Sequence, residues 1–103
     1  MNRILLICSA GMSTSLLVTK MEQSAKKLGI EANIQAIPEA EFKNYKDKCD
    51  VVLLGPQVRF LLGRIKSEVE GKGIPVELIN TVDYGMMNGE KVLNQALTLL
   101  KNR

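Results

Sequence analysis

Four short apolar runs punctuate the chain: RILLIC at 3–8, ANIQAI at 32–37, DVVLLG at 50–55 and PVELI at 75–79, each followed by a stretch long enough to hold a helix. That alternation is the pattern of a parallel sheet, because parallel neighbours need a long crossover and a helix supplies it. The first and third runs are continuously apolar, as expected for strands covered on both faces. The second and fourth alternate in part, as expected nearer the sheet edges. With the first and third strands central, right-handed crossovers favour the order 2-1-3-4 with helices on both faces. At 103 residues and 46% hydrophobic the chain can build one modest core, so a single domain over 1–103 is expected.

This α/β winding, a four-stranded parallel sheet of order 2-1-3-4, is flavodoxin-like and also that of the low-molecular-weight phosphatases. Its topological switch lies between strands 1 and 3, where ligands bind beyond the carboxyl ends of the strands. The first helix is expected to start near Ser13 or Thr14, either serving as its cap, and to bury Leu17, Met21, Ala25 and Leu28 before Gly29 ends it. Pro56 suits the first turn of a second helix with Val58, Leu61, Leu62, Ile65 and Val69 inward and Arg59 and Arg64 off that stripe. NTVDYGMMNG has room for one short helix. Asn88-Gly89 then turns the chain into a last helix with Val92, Leu93, Ala96, Leu99 and Leu100 inward. Residues 38–49 read as a short helix or a loop.

Composition removes whole classes of chemistry. There is no histidine, which excludes Cys-His dyads, Ser-His-Asp triads and nearly all zinc sites. Cys8 and Cys49, in a chain with no export signal, are expected to be reduced thiols. The net charge of +3 arises from lysines interleaved with acids, and with two Phe, two Tyr and no Trp there is little for bases to stack on, so no nucleic-acid partner is expected. No run is long enough to span a bilayer. The expectation is a cytoplasmic protein without metal or cofactor.

The loop at the switch is CSAGMSTS, residues 8–15. If a helix starts within it, the backbone N–H groups of Ser9, Ala10, Gly11, Met12, Ser13, Thr14 and Ser15 can curl over the end of the strand and form an anion-binding concavity. Gly11 allows backbone conformations closed to other residues, and the hydroxyls of Ser9, Ser13, Thr14 and Ser15 add neutral donors. A positive helix end also favours thiolate over thiol, so Cys8 could be a nucleophile without a histidine. Cys49 lacks such a setting and reads as a small buried side chain. Met12 either covers the loop or meets a partner.

Low-molecular-weight tyrosine phosphatases place an Arg at the sixth position after their nucleophilic Cys, where the guanidinium grips the phosphoryl group. Here that position is Thr14, and no basic side chain occurs between Arg3 and Lys20. Asp83 is the one carboxylate that the topology is expected to place near the loop, and a helix-end role is the simpler reading of it. A phosphocysteine without an Arg clamp is suited to a carrier that hands the group on.

At CSAGMSTSLLVTKM, and again at DVVLLGPQV and the YG of VDYG, the chain closely resembles the lactose/cellobiose-type IIB components of the bacterial phosphoenolpyruvate-dependent sugar phosphotransferase system. Related IIB proteins for mannitol, galactitol or ascorbate usually carry a second Gly where this chain has Ser13. The resemblance implies that Cys8 receives a phosphoryl group from a phosphohistidine on the IIA component and passes it to a sugar of the cellobiose, β-glucoside or lactose class held by the membrane-embedded IIC component. It implies a monomer that meets the membrane transiently through IIC. The surface around the loop should be mildly apolar so as to dock two proteins in turn, and Met12 and the 80–87 segment are candidates for it. Arg59 is a candidate to attract a phosphorylated partner, with a solvated helix charge as the plainer role. The alternatives are a low-molecular-weight phosphatase or arsenate-reductase-like enzyme using Cys8, and a redox or binding module in which Cys8 is oxidised or inert. Cys8 and Cys49 are expected at opposite ends of neighbouring strands, which argues against a bond between them.

Overall fold

The computed structural model describes residues 2–8 and 12–102, for 12 and 13 the backbone alone. Four strands, β1 (Asn2–Cys8), β2 (Ala32–Pro38), β3 (Val51–Leu54) and β4 (Val76–Leu78), form one sheet in the order β2-β1-β3-β4. Every neighbouring pair is parallel, as the sequence pattern predicts. The helices are α1 (Met12–Lys27), α2 (Leu62–Glu68), α3 (Thr81–Gly85) and α4 (Gly89–Lys101).

The pleat of the two central strands divides the core. Ile4 and Leu6 of β1 and Val51 and Leu53 of β3 face Leu17, Met21 and Ala25 of α1 and Val92, Leu93 and Ala96 of α4. Leu5, Ile7, Val52 and Leu54 face the other way, onto Val58, Leu61, Ile65 and Val69 and onto Phe42. Alternate residues of one strand thus serve two layers, which is why RILLIC and DVVLLG are apolar throughout. Both edge strands have exposed positions, as their alternation predicts.

Several local expectations are revised. Helix α1 starts by Met12, so Ser13 and Thr14 lie inside it and neither is its cap. The helix stops at Lys27, because Gly29 takes φ +71° and the amides of Gly29 and Ile30 turn back to the carbonyls of Lys26 and Ala25, the Schellman closure that a glycine permits. Leu28 is consequently past the helix and half exposed rather than core. After β3 the chain runs first as a 3₁₀ segment, Pro56–Leu61, kinked within itself where Val58 leaves the helical dihedrals, and becomes α-helical only at Leu62. Residues Glu39–Asn44 form another 3₁₀ turn whose Phe42 is fully buried, a core residue that a six-residue turn is too short to reveal by periodicity. Leu62, Leu99 and Leu100 pack at the core margins.

Candidate functional site

Parallel β1 carries its chain direction into the site: Cys8 is its last residue, level with Pro38 of β2. The ladder to β3 ends at Ile7 and Leu54. The Gly55 amide then donates to the Ile7 carbonyl at 2.8 Å, which holds the start of the β3 exit loop beside the thiol. A Cβ on Gly55 would lie 3.5 Å from the Cβ of Cys8. Since β2 leaves on one side of β1 and β3 on the other, this is the switch point of the sheet, and Cys8 stands at it.

Ser9, Ala10 and Gly11, expected to supply loop amides, lie outside the described residues, as do the side chains of Met12 and Ser13. The α1 backbone from Met12 onward is described, and it begins a helix of 16 residues four positions after Cys8. A helix this long presents its N–H groups and the positive end of its dipole toward its start. Ser15 is on the surface. Thr14 is not: it is 1% exposed and heads the stripe Thr14, Leu17, Met21, Ala25 that α1 turns to the sheet.

The buried Thr14 hydroxyl meets a partner that the sequence does not announce. Its Oγ1 lies 3.5 Å from the hydroxyl of Tyr84 in α3, and the Gln57 side-chain amide, just past β3, donates to the same Tyr84 oxygen at 3.0 Å. Tyr84 is itself buried. Helix α3 is held for this by two asparagine-glutamine devices. Asn80 caps it, accepting from the amides of Val82 and Asp83 at 3.0 and 3.1 Å. Gln95 of α4 donates to the Leu78 carbonyl at 2.6 Å and accepts from the Asn80 amide at 3.1 Å. Asp83 sits in the first turn of α3, which fits the helix-end role. Arg59 and Arg64 are both exposed, and Arg64 is paired with Glu39 and Glu68.

Cys49 is elsewhere. Asp50 exchanges backbone and side-chain hydrogen bonds with Arg3, so Cys49 lies at the amino end of the sheet, roughly 20 Å from Cys8 at the rise of a strand. That is far beyond the reach of a disulfide, and burial pushes its thiol up to about 11. A Cys8–Cys49 redox pair is therefore excluded. Among the described residues no group of metal-ligating side chains occurs, and no helix is long and apolar enough to cross a membrane.

Around the carboxyl ends of the strands several large apolar side chains face outward: Leu16 of α1, Phe60 after β3, and Val82 and Met86 at α3. Phe60 is 78% exposed and Met86 69%. Of the 80–87 segment Val82 and Met86 are thus exposed, and Phe60 is an exposed apolar position beside Arg59 that the sequence reading did not single out.

Comparison with known proteins is consistent across sequence and structure. The oligo-beta-mannoside-specific EIIB component of the sugar phosphotransferase system from Bacillus subtilis is 47% identical over 103 residues, all of both chains. The galactose-specific EIIB component of Lactococcus lactis is 45% identical over 94% of each. The solution structure of a cellobiose-specific phosphotransferase IIB component from Borrelia burgdorferi superposes with a TM-score of 0.81 at 51% identity, covering 98% of this chain and 93% of that one. Residues 3–95 match the model of the lactose/cellobiose-specific IIB subunits of the phosphotransferase system, and the chain accordingly belongs to that family of phosphotransferases.

Proposed function

We propose that this IIB protein carries a phosphoryl group on Cys8 between a IIA component and a sugar held by a IIC component. The observation that carries the reading is the place of Cys8: the end of a central parallel strand, at the switch point, just before the N-terminus of a 16-residue helix. In the first step the Cys8 sulfur attacks phosphorus, the phosphorus–nitrogen bond of a IIA phosphohistidine breaks, and the imidazole leaves with the electron pair. In the second a sugar hydroxyl attacks, the sulfur–phosphorus bond breaks with its electron pair returning to the Cys8 sulfur, and the hydroxyl proton ends on that thiolate. Both are in-line displacements, in which the protein contributes position and stabilisation of the equatorial oxygens. The amides that lead from Cys8 into the first turn of α1, with the hydroxyls of Ser9 and Ser13, are the donors of this proposal, the Thr14 hydroxyl being turned to Tyr84.

The occupant of the sixth position after Cys8 favours a carrier over a hydrolase. Thr14 is buried and engaged with Tyr84, so that position offers no guanidinium to clamp a phosphoryl group for attack by water. The exposed Phe60, Val82 and Met86 support docking of IIA and then IIC on one mildly apolar face. The sugar is expected to be a β-glucoside, cellobiose or lactose, and its choice to lie with IIC.

The test is intact-protein mass and peptide mapping after incubation with phosphoenolpyruvate and a reconstituted relay, comparing native protein with Cys8→Ser. One phosphoryl group on Cys8, absent from the variant and discharged when IIC membranes and sugar are added, is the expected result. No adduct with a charged IIA donor would overturn the reading. On the docking face, Phe60→Ser and Met86→Ser should leave the melting midpoint within about 4 °C, since surface changes move stability little. The same variants should slow phosphorylation at low IIA concentration.

A further inference from the structure

We propose that Tyr84 is a positioning residue for phosphoryl transfer at Cys8, its hydroxyl joining Gln57 and Thr14 into a strut that fixes the first turn of α1 against the loops leaving β3 and β4. The inference rests on the phosphocysteine reading above. Its three members come from the three segments that follow β1, β3 and β4, so they meet at the one end of the sheet where Cys8 lies. The amide nitrogen of Gln57 can only donate, which makes the Tyr84 oxygen the acceptor of the 3.0 Å bond. Tyr84 keeps a proton to donate, and Thr14 Oγ1 lies 3.5 Å away. Thr14 and Tyr84 are both buried, where a hydroxyl deprived of its partner is expensive.

The strut also has an end beside the thiol. A Cβ on Gly55 would come within 2.8 Å of Gln57 Oε1 and 3.5 Å of the Cys8 Cβ, so the Gln57 side chain folds back over Gly55 next to the residue that carries the chemistry. Moving Tyr84 would release Gln57 on that side and Thr14 on the other. Thr14 belongs to the helical turn whose amides lead toward Cys8, and a small displacement of donors from the phosphoryl oxygens costs rate rather than fold.

The experiment measures IIA-dependent phosphorylation of Cys8 and discharge to sugar, with the melting midpoint in parallel, for the native protein, Tyr84→Phe, Thr14→Val, Thr14→Ser and the double Tyr84→Phe/Thr14→Val. Gln57→Ala, a surface substitution, provides a variant that leaves the core untouched. Tyr84→Phe and Thr14→Val should each lower the rate at saturating IIA by about five- to tenfold, the worth of one net hydrogen bond, with the KM for IIA unchanged. Thr14→Ser should restore the rate, and the double variant should be no slower than the slower single one. Native rates in Tyr84→Phe, Thr14→Val and Gln57→Ala would overturn the proposal, as would Thr14→Ser as slow as Thr14→Val, or losses that only track the unfolded fraction. A native protein that forms no phosphocysteine would instead overturn the reading on which the strut rests.

Discussion

Cys8 and Cys49 carry the same side chain to opposite ends of the sheet, and their surroundings set different prospects. Cys49 is 4% exposed, and desolvation outweighs the favourable charge of Arg3, raising its thiol from 9.0 to about 11. Folding therefore favours the neutral thiol, which contributes stability that is complete below pH 9 and is lost as the pH climbs toward 11, where the unfolded chain ionises first. The loss is roughly 2–3 kcal/mol by proton linkage. Denaturant titrations from pH 8 to 11 should show native stability falling faster than that of Cys49→Ala, whose lower starting value is a separate cavity effect. Gly55 offers a second test, beside Cys8. Its φ of −64° suits any residue, so Gly55→Ala should fold, while the new methyl displaces the Gln57 amide. The side-chain NH₂ resonances of Gln57 should shift, and phosphorylation should slow as in Gln57→Ala.

Among the elements, α3 and α4 depend on their starts. Asn80 accepts two amides at the first and Asn88 accepts the Lys91 amide at 3.1 Å at the second. Asn80→Ala should lower stability by about 1 kcal/mol, as loss of an N-cap does, measured from the denaturant midpoint. A five-residue helix has little else of its own to hold it, since short helices depend on tertiary support. Gly89 looks like half of an Asn-Gly turn in the sequence, yet its φ is not positive. It is a contact: a Cβ there would lie 2.5 Å from the carbonyl carbon of Lys20 and 2.7 Å from the Met21 amide nitrogen, both α1 backbone. Gly89→Ala should therefore destabilise by about 1–3 kcal/mol through overpacking, against a helix-propensity gain of at most about 1 kcal/mol. A rise in the denaturant midpoint would contradict this close approach of α4 to α1.

Across the whole molecule, the sheet order, the central placement of β1 and β3, the two-sided core and the position of Cys8 at the switch point were legible from the chain alone. Their signals are local: a strand buried on both faces must be apolar at every position, a parallel sheet must alternate with helices, and a crossover has one hand. Helix α1 could be expected from Leu17, Met21 and Ala25 at helical spacing, but its start was misplaced, because hydroxyl residues that cap helices can also sit inside them. Thr14 is the case in point. It is buried because of what lies across from it, 70 residues away in the chain. Tyr84 meets Gln57 from 27 residues away, and Gln95 reaches back to Leu78. Phe42 and Gly89 likewise take their meaning from a facing surface. Periodicity and chirality along the chain dictate which elements form, in what order they pair and which residue stands at the switch. Which side chains meet around that residue depends instead on how separate crossovers pack against one another, and no local pattern encodes such meetings.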